Sequence, residues 1–186
     1  MSMDAEGLKI SVGIFAHNEE KNILRTLESL ARQDIFHKNQ LDACITVSVI
    51  ANGCTDTTAA ICNDYFDQHR WLAGRVLEIT QAGKSNAWNK YIHADAQSDA
   101  DYFLCMDSDI SFGSNNVIYC LLSALIYESQ AYLSVDVAKK DTALKKHKSL
   151  FEHISLFFSD LMNRGSSAVA GSLYCARGEK LREITM

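Results

Sequence analysis

Tyr102-Phe103-Leu104-Cys105-Met106-Asp107-Ser108-Asp109 is an apolar run that ends abruptly in two carboxylates one residue apart. A run of this length between polar neighbours predicts a buried strand. In an open α/β sheet, ligands bind in the crevice beyond the C-terminal ends of the strands. Two acids at such an end are a candidate seat for a hard cation, Mg²⁺ or Mn²⁺. Mg²⁺ takes one or two protein carboxylates and leaves its other positions to water and phosphate. On the residues alone, a plain turn or a helix cap accounts for Asp107 and Asp109 equally well. The same spacing recurs just upstream in Asp99-Ala100-Asp101. That copy lies in a polar lead-in and reads as a solvated turn.

Working outward, three strand-and-helix units precede this run. Residues 9–15 form a β-rich, nearly uncharged stretch, as expected of a strand covered on both faces. Asn18 is a candidate N-cap for the helix that follows. Glu19 and Glu20 fall at its positive end, and Ile23, Leu24, Leu27, Leu30 and Ala31 lie on one stripe. Residues 44–50 form a second strand. The turn Asn52-Gly53-Cys54-Thr55-Asp56 then leads into a helix carrying Ile61, Cys62, Tyr65 and Phe66. Residues 75–79 form a third strand, followed by the loop Ala82-Gly83-Lys84-Ser85 and a helix whose inner face holds Trp88, Tyr91 and Ile92. This alternation predicts an α/β fold, a mainly parallel sheet with helices on both faces, because parallel neighbours require crossovers.

Beyond Asp109, residues 116–127 are apolar nearly all round and predict a deeply buried helix. Residues 132–135 suggest a fifth strand, 139–148 a solvated basic connection, and 151–163 a helix presenting Ile154, Phe157, Phe158 and Leu161. Residues 168–177 are strand-like on either side of Gly171, and a helix begins at Gly178.

Composition narrows the class. The 186 residues suit one domain, 1–186. A net charge of -5, with both signs interspersed, argues against nucleic acid or an anionic membrane surface as partner. Residues 1–7 do not make a secretory signal, and no apolar run approaches the roughly 18 residues that span a bilayer. Cys44, Cys62, Cys105, Cys120 and Cys175 lie among apolar neighbours without C-x-x-C spacing and read as buried, reduced thiols; Cys54 sits in a polar loop. The setting expected is cytoplasmic, free or at a membrane periphery. His17, His147 and His153 lack metal-ligand spacing and read as surface or half-buried groups.

Four stretches, in order, resemble the family 2 glycosyltransferases of the GT-A fold, the Rossmann-like nucleotide-diphospho-sugar transferase class, from about Ile10 to Arg182. Phe15-Ala16-His17-Asn18-Glu19 is similar to that family's P-A-Y-N-E loop without its proline. Asn52-Gly53-Cys54-Thr55-Asp56 resembles the N-G-S-T-D turn. Gly83-Lys84-Ser85-Asn86-Ala87-Trp88-Asn89 resembles the G-K-x-x-A-x-N helix start, and Asp107-Ser108-Asp109 the D-x-D. Gly171-Ser172-Leu173-Tyr174 and Arg177 resemble the acceptor-side strand.

The resemblance implies metal-dependent, inverting transfer of a sugar from a nucleoside-diphosphate donor to a sugar, lipid or other acceptor. It implies that Asp109, with Asp107, holds Mn²⁺ or Mg²⁺ against the diphosphate, and that Asp107 also meets the ribose. Lys84 and the N–H groups beginning its helix would add positive charge. The base would lie near Ala16, Asn18, Glu19 and Asn52, with its identity open because Ala51 stands where relatives carry a polar contact. Gly171 and Ser172 would face the acceptor. Outside this context Lys84 reads as a surface lysine, Asp56 as an N-cap and Trp88 as core.

An inverting transfer needs a carboxylate base near the acceptor hydroxyl. In relatives it follows the acceptor strand, which places it beyond Met186, so a missing C-terminal acceptor and base part is expected; Glu179 and Glu183 are weak substitutes. A non-catalytic nucleotide-sugar-binding module is the main alternative. A sugar-1-phosphate nucleotidyltransferase is the lesser one, since residues 15–19 are not a glycine-rich phosphate loop.

Overall fold

The computed structural model describes residues 7–38, 40–94, 99–136 and 172–186. Four strands, β1 (Leu8–Ala16), β2 (Ala43–Asn52), β3 (Gly74–Ile79) and β4 (Tyr102–Asp107), run parallel. Two more, β5 (Leu133–Val135) and β6 (Leu173–Arg177), complete a sheet of order β3-β2-β1-β4-β6-β5, with β6 antiparallel to both its neighbours. The central place of β1 follows from its sequence. Val12 and Ile14 are fully buried on one face and Ser11 on the other, so neither side tolerates water.

Period-two alternation sends the strands' side chains into two cores. Ile10, Val12, Ile14, Val47, Val49, Leu104 and Met106 meet three helices, α1 (Ile23–Ala31), α2 (Thr58–Gln68) and α4 (Val117–Tyr127). Ile50, Phe103, Cys105 and Ala176 meet α3 (Lys84–Asn89) with its π-helical extension Lys90–Ala94, and α5 (Gly178–Leu181). Helices therefore cover both faces. The second core is fitted closely at Gly13, where a Cβ would come within 2.3 Å of the Tyr91 ring. With that space left clear, the Tyr91 hydroxyl hydrogen-bonds Ser11 Oγ at 2.7 Å and its ring packs edge-on against Phe15 of β1.

Several expectations change. Asn18 is not the N-cap of α1: that helix starts at Ile23, while Asn18 takes a left-handed φ of 55° in the loop before it. The α4 helix is buried on one face only, through Ile118, Leu121, Leu122 and Leu125. Tyr127 is 84% exposed and Cys120 is also exposed, since apolar composition does not oblige a side chain to be covered. All six cysteines are free, as expected, but Cys44 is exposed too, at the open start of β2. The connection at 139–148, the helix at 151–163 and the first part of the glycine-bearing strand, Gly171 included, lie outside the described residues. No helix among the described residues is long and apolar enough to cross a membrane.

Candidate functional site

The parallel strands end together, and a cavity of about 580 Å³ opens beyond their tips. The β1 end gives it Phe15, Ala16 and His17, β2 gives Asn52, and β4 gives Cys105, Met106 and Asp107. Lys84, Ser85, Ala87 and Trp88 line it from α3, and Ser172, Tyr174 and Met186 from the C-terminal stretch. A volume of this size suits a drug-sized or nucleotide-sized ligand.

Asn52 ties three loops together. Its side-chain Oδ1 accepts the Gly83 N–H at 2.9 Å, and its carbonyl oxygen meets His17 Nδ1 at 2.7 Å. Next to it, Gly53 turns the chain at a φ of 62° and donates its N–H to Ile79 O at 2.6 Å. The first two loops are laced as well. Asn18 Oδ1 accepts the Thr55 N–H at 2.8 Å, Thr58 Oγ1 accepts the Glu19 N–H at 2.8 Å, and Glu20 Oε2 accepts the Thr57 hydroxyl at 2.9 Å.

Asp56 takes the role of a cap, one position ahead of the helix's flanking residue Thr57. Its Oδ1 accepts the Thr58 N–H at 3.0 Å and the Thr58 hydroxyl at 2.6 Å, and its Oδ2 accepts the Glu20 N–H at 3.1 Å. Desolvation pulls the Asp56 carboxyl up, but these hydrogen bonds outweigh it and leave the group below its ordinary value.

Asp107 is different. Among the described residues no hydrogen bond reaches its carboxylate or that of Asp109. Burial raises the Asp107 carboxyl above its ordinary value, Asp109 and Glu19 push the same way, and only Lys84 opposes them. Asp109 is exposed. The main chain of this turn, by contrast, is held firmly. Thr26 Oγ1 lies 2.7 Å from the Ser108 carbonyl and 3.0 Å from that of Ile110, and Arg25 Nη2 donates to the Asp109 carbonyl at 3.1 Å. On the other side the Asp107 N–H donates to Ser172 O at 2.9 Å.

The donor set is therefore two carboxylates, all oxygen, which fits a hard divalent cation and not a soft one. No group of three or more His, Cys, Asp or Glu side chains is placed to hold a metal ion among the described residues, so any ion here would complete its shell with water and ligand oxygens. Lys84 is exposed and makes no ion pair among the described residues. Its helix is six residues long before the π-helical turn, so the Lys84 charge outweighs any helix-end effect.

The structure brings Ala16, Asn52, Lys84, Asp107 and Ser172 to one cavity wall, with Asp109 at the exposed end of the same turn. Asn18 and Glu19 are not among the residues that line this cavity; they belong to the loop lacing, and the Glu19 carboxylate accepts Asn22 Nδ2 at 2.8 Å. Sequence reasoning missed His17 and Tyr174 as wall residues and gave Trp88 only a core role. Trp88 Nε1 donates to the Tyr174 hydroxyl at 2.8 Å, and Tyr174 and the buried Cys105 line the same cavity. Burial drives the Tyr174 hydroxyl upward and the Cys105 thiol to about 12, so both stay protonated near neutrality. No periodicity signals such a wall, because each member also passes for core.

Glu179 does not face this cavity. It lines a second one, of about 360 Å³, with Leu8 and Tyr102, the residues that begin β1 and β4 at the opposite end of the sheet. Glu183 is paired with Lys180 at 3.0 Å.

The family model for glycosyl transferase family 2 matches residues 11–178. No curated protein is similar enough in sequence to count as a match. Among solved structures, the chain is similar to a mannosyltransferase, PcManGT of Pyrobaculum calidifontis, in complex with GDP-Man and Mn²⁺. The identity is 18%, the TM-score 0.71, and the match covers 94% of this chain and 46% of that one. It is also similar to residues 1–349 of S. aureus TarS in complex with UDP, with 19% identity, TM-score 0.61 and coverage of 95% and 48%. Glucosyl-3-phosphoglycerate synthase of Mycobacterium tuberculosis, in complex with UDP, gives 20%, 0.58, 92% and 57%. These likenesses show a GT-A fold. The chain spans about half the length of the structures it matches.

Proposed function

The chain belongs to glycosyl transferase family 2, and on that premise we propose that it serves metal-dependent, inverting transfer of a sugar from a nucleoside-diphosphate donor to an acceptor hydroxyl. The observation that carries this reading is the pair of carboxylates without hydrogen-bond partners among the described residues where β4 leaves the sheet, beside Lys84, with the Asp107 carboxyl raised by burial and by Asp109. Such a pair is costly to the fold and becomes favourable once positive charge arrives. The GDP-Man, UDP and Mn²⁺ in the similar structures support the donor class and the cation.

In this proposal Asp107 and Asp109 hold Mn²⁺ or Mg²⁺, which when bound neutralises charge on the departing diphosphate. Lys84 adds a point charge toward the same phosphates. Ala16 and Asn52 border the nucleoside, the laced loop of Asn18 and Glu19 fixes the shape of that border, and Ser172 faces the acceptor side. The wall formed by Trp88, Tyr174 and Cys105 contributes apolar surface and excludes water, not a titrating group. Calorimetry on the Asp109→Ala variant tests the reading: Mn²⁺-dependent binding of UDP or GDP is expected to weaken by on the order of 100-fold or more, and unchanged binding would remove the metal assignment.

Neither Glu179 nor Glu183 lines this cavity, which favours a second reading, donor binding without transfer by these residues alone. Transfer and donor hydrolysis assays separate the two. Glycosylated product from any acceptor supports the enzyme, whereas metal-dependent nucleotide binding with no product supports the binding module.

A further inference from the structure

Resting on the donor-binding reading above, we propose that Asn89 and His93 are positioning residues: they clamp residues 184–186 along α3 as a detachable strap, and the docked strap holds a nucleoside diphosphate in the cavity. Asn89 is the last residue of α3, and His93 lies in its π-helical extension. The Asn89 side chain grips both main-chain groups of one residue. Its Oδ1 accepts the Met186 N–H at 2.9 Å, and its Nδ2 donates to the Met186 main-chain oxygen. His93 Nε2 lies 2.8 Å from the Ile184 carbonyl oxygen, which can only accept, so Nε2 carries the hydrogen. The His93 ring in turn makes a T-shaped contact with the Trp88 indole at 6.0 Å. Trp88 and Met186 both line the cavity, so the clamp is built into its wall.

Little else holds the strap. Leu181 is buried in the second core, and after it the N–H groups of Glu183 and Ile184 close the last turn of α5 on the carbonyls of Lys180 and Leu181. From there the side chains turn outward: Ile184 is 48% exposed and Met186 60%. Apolar burial therefore contributes little, and the docking of 184–186 rests on three exposed hydrogen bonds to two side chains. A segment with few buried contacts and solvent-exposed hydrogen bonds opens locally while the rest of the fold stays intact.

The two holders belong to the helix that starts at Lys84, the cation assigned above to the phosphates. A ligand seated between Lys84 and Met186 touches the docked strap and not the open one. Its affinity is therefore greater for the docked form, and by linkage it favours docking by the same factor. A clamp that only tidied the surface would show neither effect.

The test is calorimetric titration of the full chain with UDP and GDP in Mn²⁺, joined to hydrogen exchange at the Met186 amide with and without nucleotide. In the wild type, the nucleotide that binds is expected to slow that exchange about fivefold or more. Asn89→Ala removes both bonds to Met186, and His93→Ala removes the bond to Ile184. Each is expected to speed exchange at Met186 in the free protein and to weaken nucleotide binding about fivefold or more. Both positions lie at the surface end of the helix, and an unchanged melting temperature verifies that each variant is folded. A nucleotide that binds without slowing exchange at Met186, or variants that keep the wild-type affinity, overturn the strap's role in binding and leave the donor-binding reading standing. Failure of both nucleotides to bind the wild type overturns both.

Discussion

The two D-x-D sequences at either end of β4 have the same acids at the same spacing and opposite surroundings. At the start of the strand, the Asp101 carboxylate accepts the Lys9 N–H at 2.8 Å, and Asp99 meets Lys9 Nζ at 2.9 Å. The hydrogen bond from Lys9, together with its charge, holds the Asp99 carboxyl below the usual range. At the far end, the protein grips the backbone of 107–110 and leaves the carboxylates of Asp107 and Asp109 without a hydrogen bond among the described residues. One copy is satisfied by the scaffold, and the other has no such partner among the described residues. An acid pair becomes a candidate site through what the fold withholds from it, and spacing alone cannot report that.

The comparison can be broken most forcefully at the distal pair. Asp107→Ala or Asp109→Ala is expected to weaken Mn²⁺-dependent nucleoside-diphosphate binding by on the order of 100-fold or more in calorimetry, because one carboxylate remains to hold the ion. Lys84→Ala comes next, with about tenfold weaker binding of a nucleoside diphosphate and a smaller loss for the nucleoside alone, as befits one charge-assisted contact. At the proximal pair, Asp101→Ala is expected to cost about 1 kcal/mol in chemical denaturation through its lost hydrogen bond, while nucleotide affinity stays unchanged.

The finest contrast is in pH. The folded-state pKa of Asp107 lies above its unfolded value. The stability it contributes is therefore complete below the ordinary aspartate range and is lost as pH rises through the raised value. Metal-free Asp107→Asn is expected to melt above the wild type at neutral pH and level with it in acid. Asp99 has the reverse sign, its small contribution being present above the ordinary range and lost as pH falls. A wild type that outmelts Asp107→Asn at neutral pH would mean that the two pairs do not differ as described.

Much of this architecture was legible beforehand. The strands at 9–15, 44–50 and 102–107 announced themselves because a strand covered on both faces is β-rich and nearly uncharged, that at 75–79 because Val76, Leu77 and Ile79 make a short β-rich run, and glycine or asparagine marks the tip of each of the first three units. The parallel arrangement followed from the helices between them. Less legible were features decided by distant partners. Asn18 has a cap's chemistry but was recruited by Thr55, 37 residues away. Glu179 follows the last strand directly, yet β6 runs antiparallel to β4 and so delivers it to the opposite end of the sheet. Asn52 was singled out by its turn motif and His17 only as a surface or half-buried group, and the hydrogen bond that joins them involves a backbone oxygen, which no side-chain pattern encodes.

The clamp behind the distal turn has one more implication. Thr26 and Arg25 take hold of carbonyl oxygens, which every amino acid possesses, and so the mount is indifferent to the cargo it displays. Side chains at 107 and 109 can be exchanged, for amides, histidines or thiols, with the backbone beneath them expected to keep its course. That makes this corner a natural place to graft a different coordination chemistry onto an unchanged chassis.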